Sequence, residues 1–223
     1  MKQEERRERR IREIFSAAME EFGTNGYENV TMDSLCARHG LSKGVLYHYF
    51  SNRDELFLLC VKSVFRDLRA YLEQKSAIPA EQNVAKSIRD YFFCREDFFQ
   101  ARPLEKNIFE NALLHPPKHL REQIRELRRP LQEVNRAFLR RAVPYLPLRP
   151  GLNAAEAIRY FESIESLFWE LLAGYNADPA AHEAEQLWDM VVFGVAQPEE
   201  GKQGQREIPP AQDADKVGRL AER

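Results

Sequence analysis

Residues 40–44, Gly40-Leu41-Ser42-Lys43-Gly44, spell G-x-S-x-G. In a hydrolase that pattern sets a serine nucleophile on a sharp turn between a buried strand and a helix, with an acid and a histidine later in the chain. Here Ser42 is preceded by Leu35-Cys36-Ala37-Arg38-His39, which has helical spacing and a polar face. The strand is missing, so a Ser42 hydrolase stays only as an alternative, and the expectation is a protein that is not an enzyme. Metal chemistry has two candidate pairs. Cys36 and His39 stand at i,i+3 without a third ligand at a supporting spacing, and a buried cysteine beside an exposed histidine accounts for them better. His115 and His119 are four apart, but Pro116 and Pro117 interrupt the turn between them. No metal and no cofactor is expected. The cysteines, Cys36, Cys60 and Cys94, are three, far apart and without a C-x-x-C, so neither a disulfide framework nor a zinc ribbon is indicated. That usage fits a reducing cytoplasm.

The same stretch makes better sense as a turn between two short helices. Thr31 can cap the first, with Asp33 in its first turn to suit the helix dipole. Met32, Leu35 and Cys36 then face inward, and Gly40 ends it. Ser42 can cap the second, with Leu46 and Phe50 on its inner face. Two short helices joined by a glycine-containing turn are the helix-turn-helix unit. Its second helix enters the major groove of DNA with its N-terminal residues toward base edges. In that geometry Lys43, Gly44 and Tyr47 point outward, with His48 beside them. Gly44 removes a side chain where backbone can approach DNA closely. Lys43 and His48 can meet phosphates or groove acceptors, and Tyr47 and Tyr49 can donate their hydroxyls to phosphate oxygens. Thr31 can do the same at the helix N-terminus it caps.

These residues need a scaffold, and the rest of the 223-residue chain supplies a helical one. Hydrophobic residues are 43%, enough for a globular core, whereas the net charge of −2 gives no global basic field, so any DNA-binding signal must be local. No apolar signal core opens the chain and no run approaches 18 apolar residues, so no membrane partner is expected. Sustained period-2 alternation is nearly absent, whereas helical spacing is everywhere. Ile11, Ile14, Phe15, Ala18 and Phe22 form a first stripe, with Gly23 and Gly26 as stop signals. A fourth helix starts at Ser51 or Asn52, carries Leu56, Leu59, Cys60 and Val64, and runs to about Lys75. Arg6, Arg7, Arg9, Arg10 and Arg12 could reach phosphates as an N-terminal arm, but Glu4, Glu5, Glu8 and Glu13 interleave with them as on an ordinary solvated helix.

Ile78-Pro79-Ala80 marks a joint, beyond which the residues become larger and more aromatic. One helix carries Val84, Ile88, Tyr91, Phe92, Phe98 and Phe99, and a shorter one carries Leu104, Ile108, Phe109 and Ala112. Leu120, Ile124, Leu127, Leu131, Val134 and Phe138 stay in phase through Pro130, which predicts one long helix containing the proline. Ala157 to Tyr175 forms a seam ended by Asn176 and Pro179, and a last helix carries Leu187, Met190 and Val191. From Gln197 onward the composition predicts a disordered tail. The expected fold is all-α with about nine helices. Residues 1–75 would form the helix-turn-helix domain with its linking fourth helix, 76–196 an effector-binding and dimerisation domain, and 197–223 the tail.

Residues 9–60 resemble the DNA-binding domain of the TetR family of transcriptional repressors. The carrying residues are Phe15, Phe22-Gly23, Gly26-Tyr27-Glu28, Thr31-Met32, Leu35-Cys36, Gly40-Leu41-Ser42-Lys43-Gly44, Leu46-Tyr47-His48-Tyr49-Phe50 and Arg53-Asp54-Glu55-Leu56. Two departures are mild: Cys36 stands where the family usually has alanine, and Arg53 where it usually has lysine. The resemblance implies that Lys43, Val45, Tyr47 and His48 lie nearest bases, and Thr31, Ser42, Tyr49 and Arg53 nearest phosphates. It also implies a second all-helical domain for a small-molecule effector, and a homodimer formed through the last two helices. The function expected is a cytoplasmic repressor that binds a palindromic double-stranded DNA operator and is released by its effector. An activator or architectural DNA-binding protein without effector coupling is the alternative.

The aromatic residues of the second part exceed what one helical face needs, and ligand pockets are mostly apolar with a few polar groups. The expected effector is therefore mostly hydrophobic, held among Phe92, Phe99, Phe109, Phe138 and Trp169, with Cys94, Asn111 and Glu162 as polar contacts. The expected dimer seam is Ile158, Phe161, Glu165, Phe168 and Leu172 with Leu187, Met190 and Val191. Glu165 lies on a strongly apolar surface, so it needs a partner, an arginine across the seam or a cationic effector.

Overall fold

The computed structural model describes residues 2–77, 83–174 and 180–196, and among these the chain forms nine α-helices and no strand. Helix α1 (Lys2–Asn25) begins well ahead of the apolar stripe and runs straight through Gly23. Gly23 is not the stop signal that its type suggests. A Cβ there would stand 2.7 Å from Leu104 Cβ and 2.8 Å from Leu104 Cα, so the glycine permits two helices to touch backbone to backbone. The turn itself comes at Gly26, with φ of 72°.

Two short helices follow, each with the cap its sequence predicts. Helix α2 (Met32–His39) starts at Thr31, whose side chain accepts from Ser34 N at 3.0 Å while Ser34 Oγ accepts from Thr31 N at 3.0 Å. This reciprocal capping satisfies two otherwise orphaned amides. Gly40, at φ 62°, closes it, and Leu41 N donates to Cys36 O at 3.1 Å. Helix α3 (Lys43–Tyr49) begins at Ser42, which accepts from Val45 N at 3.4 Å. Helix α4 (Arg53–Lys75) begins at Asn52, which accepts from Glu55 N at 2.9 Å. It buries apolar side chains from Leu56 to Leu72 and packs against α1, so it is the spine of the molecule.

The remaining helices pack on α4 directly or on helices that do. They are α5 (Val84–Gln100), α6 (Pro103–Leu114), α7 (Arg121–Ala142), α8 (Ala154–Gly174) and α9 (Ala180–Val195). The 3₁₀ turn Lys118–Leu120 leads into α7, and the turn Val143–Tyr145 leaves it. Helix α7 is one helix with Pro130 inside, as the in-phase stripe predicts. Proline lacks the N–H that position would donate, yet burial of Ile124, Leu131 and Phe138 on one side keeps the two halves together. A lone antiparallel bridge joins Leu148 to Ala196, and Arg149 N donates to Val195 O at 2.9 Å. The expected stop at Asn176 and Pro179 and the tail 197–223 lie outside the described residues. No helix among the described residues is long and apolar enough to cross a membrane.

Candidate nucleic-acid interface

Leu46 is fully buried and Phe50 nearly so, which fixes how α3 sits against α2. The opposite face carries Lys43, Gly44, Tyr47 and His48, all exposed, and Tyr47 is 52% exposed. A large aromatic left in water at that level is available for contact rather than committed to packing. Gly44 is not required by the fold, because a Cβ there would meet only Ser42 Oγ, at 3.8 Å. The bare backbone of the first turn of α3 is therefore open to whatever docks. Val45 and Tyr49 are half-buried and pack against the core, and the His48 ring lies edge-on to Tyr49 with centroids 4.9 Å apart. Thr31 and Ser42 are exposed at their caps, so each hydroxyl sits beside helix N-terminal amides. Lys43 Nζ is 2.8 Å from Asp33 Oδ1, and this hydrogen bond raises the lysine's pKa.

A buried carboxylate stiffens the unit from behind. Glu21 on α1 is 5% exposed and meets Arg38 Nη1 at 3.3 Å, His39 Nε2 at 3.2 Å and Asn25 Nδ2 at 3.1 Å. His39 is thus engaged at the end of α2, while the neighbouring Cys36 thiol is buried and its pKa pushed up by that burial.

Arg53 is engaged by groups of its own chain. Its guanidinium stacks over the Tyr27 ring at 4.4 Å, and Nη1 donates to Val30 O at 3.0 Å. Asp54, next along α4, accepts from the Tyr27 hydroxyl in a short hydrogen bond, and its Oδ2 lies 2.9 Å from His119 Nε2. Burial pushes the Tyr27 pKa up to about 12, helped by the bond to Asp54. For Asp54, burial acts upward, but hydrogen bonds from Tyr27 and His119 and the charges of His119 and Arg53 prevail and hold its carboxyl below the ordinary value. In the sequence His119 stands out only as a candidate metal pair with His115. The cluster joins residues 27, 54 and 119, and no periodicity links such distant positions.

The residues expected around an effector divide into two sets. Phe92, Phe99, Phe109 and Phe138 are all buried, and Cys94 is buried beside them. Phe92 packs against Trp188 with centroids 5.1 Å apart, and Phe138 stacks on Tyr91 at 3.8 Å. Asn111 lies apart from this set, facing Gly26 and donating to Asn107 O at 2.8 Å. Glu162 also lies apart, on the outer surface, where its carboxylate accepts from Arg136 Nε at 2.5 Å. The same aromatic region holds two buried polar side chains, Arg95 and Asn135. Arg95 is 1% exposed, stacks at 5.0 Å over Phe92, and donates to Asn135 Oδ1 at 2.6 Å and Tyr91 O at 2.6 Å. Tyr91 Oη donates to the same Asn135 oxygen at 2.8 Å. Two polar residues at stripe positions, Arg95 between Phe92 and Phe99 and Asn135 between Leu131 and Phe138, were the available signal.

Of the residues expected in a dimer seam, Phe161 is buried in the core of the single chain, 1% exposed and against Trp188 at 6.4 Å. Ile158 and Val191 are half-buried, whereas Met190 is 69% exposed and the neighbouring Phe193 40%. The side chains of Glu165, Phe168, Trp169, Leu172 and Leu187 lie outside the described residues.

A family profile described as bacterial regulatory proteins, tetR family, matches residues 14–60, which are the end of the α1 stripe through the middle of α4. The HTH-type transcriptional regulator BetI of Agrobacterium fabrum is 35% identical over 60 residues, 27% of this chain and 29% of that protein. The HTH-type transcriptional repressor AcnR of Corynebacterium jeikeium is 32% identical over 80 residues, 36% of this chain and 42% of the relative. The chain thus spans less than half the length of these two relatives. Likeness of fold extends further. FadR of Bacillus subtilis in complex with stearoyl-CoA superposes with a TM-score of 0.63 at 15% identity, over 82% of this chain and 98% of that one. The complex of SmeT with triclosan gives 0.60 at 20%, over 84% and 92%; SmeT is the repressor of a Stenotrophomonas maltophilia efflux pump. The helix-turn-helix geometry and the matched residues agree: residues 14–60 are similar to the DNA-binding part of the tetR family of bacterial regulatory proteins.

Proposed function

We propose that the chain is a TetR-family regulator, a dimeric repressor that binds a palindromic operator through α3 and is released by a mostly hydrophobic small molecule. The observation that carries the reading is the outward face of α3: Lys43, Gly44, Tyr47 and His48 are exposed on a short helix pinned by buried Leu46 and Phe50. An exposed cation, a bare backbone and exposed ring polar groups in the first turns of one helix match what base and phosphate contact require. Thr31, Ser42, Tyr49 and Val45 flank that face, and Arg53 acts by bracing Tyr27 beneath it. Residues 1–75 are the DNA-reading part and 76–196 the effector and dimer part in this proposal, with α4 as the connection between them.

The effector site is assigned to the aromatic region around Phe92, Phe99, Phe109 and Phe138. The stearoyl-CoA and triclosan carried by two proteins of like fold support a mostly hydrophobic effector. The dimer is assigned to α8 and α9, because Met190 and Phe193 on α9 are large apolar side chains left exposed in the single chain. An effector that favours a dimer with wrongly spaced recognition helices weakens operator binding, and operator must weaken effector binding by the same factor. The test is capture of genomic fragments by the purified protein followed by footprinting. A symmetric protected site supports the reading, and an asymmetric half-site or no enrichment overturns it.

A further inference from the structure

His119 belongs to the turn between α6 and α7, in the part assigned to effector and dimer, yet its imidazole reaches into the DNA-reading part. Its Nε2 lies 2.9 Å from Asp54 Oδ2 on α4 and 3.2 Å from the Tyr27 hydroxyl at the end of α1. Since that hydroxyl gives its own hydrogen to Asp54, an Nε2–H on His119 satisfies the arrangement. Arg53 completes the cluster, stacked on Tyr27 and hydrogen-bonded to the carbonyl of Val30, directly before the cap of α2. One imidazole on the α6–α7 turn is thereby connected, through two residues, to the starts of α2 and α4.

We propose that His119 is a positioning residue and a proton-operated strut: its protonated form fixes the orientation of the helix-turn-helix unit on the helical body, and loss of the proton loosens it. The inference rests on the division into DNA-reading and effector parts proposed above. Imidazole is the side chain that changes charge in the physiological range. Protonation turns the hydrogen bond from a neutral imidazole to the Asp54 carboxylate into an ion pair, which is stronger. The groups facing the cluster are Asp54 and Arg53 from α4, Tyr27 from the end of α1, and Glu28, whose Oε2 is 4.0 Å from Arg53 Nη2. Lys118 and Arg121 flank His119 on its own segment, and the Asp54 carboxylate is in direct contact with it. His119 is well exposed, with 58% of its side-chain surface open, so the proton exchanges with solvent without any opening of the core.

The strut is tested without DNA or effector. Spin labels on introduced cysteines at His48 on α3 and Arg129 on α7 report the orientation of the two parts, since Cys36, Cys60 and Cys94 are buried and label poorly. The full chain is diluted with unlabelled protein so that only distances within one chain are read. Between about pH 6 and about pH 8 the distance distribution should broaden, and this response should be lost in His119→Gln and in Asp54→Asn. A distribution independent of pH overturns the proposal, as does a pH response that survives in His119→Gln. Failure to find an operator would remove the DNA-reading assignment but leave this result standing, so the two outcomes are separable.

Discussion

Lys43 Nζ lies 2.8 Å from Asp33 Oδ1, so the cation at the start of α3 is held by a carboxylate at the start of α2. Both side chains are open to water, 63% and 67% exposed. The pair points Lys43 along the face proposed to meet DNA, and it also places a negative charge where phosphates would approach. Water and salt screen an exposed pair of this kind, so it contributes little to stability. Asp33→Asn should therefore leave stability nearly unchanged and strengthen operator binding about two- to fivefold at low salt. Weaker binding in that variant would mean that Asp33 orients Lys43 more than it repels DNA.

Gly23→Ala should be far more disruptive than its single methyl suggests. The new Cβ meets the Cβ, Cα and carbonyl oxygen of Leu104 at 2.7, 2.8 and 2.9 Å, two of them backbone atoms that cannot rotate away. Asn107 Nδ2, one turn further along α6, also donates to Gly23 O at 2.7 Å and would be pushed off. Overpacking of this type costs about 1–3 kcal/mol. Thermal unfolding of the variant checks it, and a melting temperature equal to wild type would contradict the close approach of α1 and α6.

Asp54 sets an acid limit on the fold. Its carboxyl is held below the ordinary value in the folded protein, so its contribution is present above the unfolded carboxylate pKa and is lost as pH falls through the lower folded one. Wild type should exceed Asp54→Asn in stability at about pH 5 and lose that advantage below about pH 4. Denaturant midpoints at both pH values measure this. An advantage that persists unchanged into the acid range would mean that Tyr27 and His119 do not depend on the charge of Asp54.

Much of this was written locally in the chain. The caps at Thr31, Ser42 and Asn52 and the left-handed stop at Gly40 are dictated by side-chain chemistry a few residues away, and the structure places each where the sequence predicts it. The inward Leu46 and outward Tyr47 follow from the same short-range spacing. What periodicity could not resolve were contacts across the fold. Arg53 appears in sequence as a free cation at a helix start, but the Tyr27 ring that captures it is 26 positions earlier. Glu162 appears without a partner until α7 brings Arg136 beside it. Phe161 lies on the seam of α8 by spacing, yet a helix packed on two sides has two apolar faces, and this ring occupies the inner one.

The dimer prediction is tested on α9, whose Met190 is already part of the expected seam. Met190→Glu or Phe193→Glu puts a carboxylate on a large exposed apolar position and should split the dimer while each chain stays folded. Sedimentation of either variant as a stable dimer, with unchanged helicity, would place the interface elsewhere.

The central claim is that α3 reads duplex DNA, and the double variant Lys43→Ala with Tyr47→Ala tests it most directly. Neither side chain is buried, so circular dichroism and oligomeric state should match wild type. The measurement is titration of both proteins onto the footprinted duplex over a range of salt concentrations. Wild type should bind with a steep loss of affinity as salt rises, because phosphate contacts release counterions. The double variant should lose operator binding. Wild-type affinity in the double variant would contradict the account and assign the DNA-facing surface to another part of the molecule.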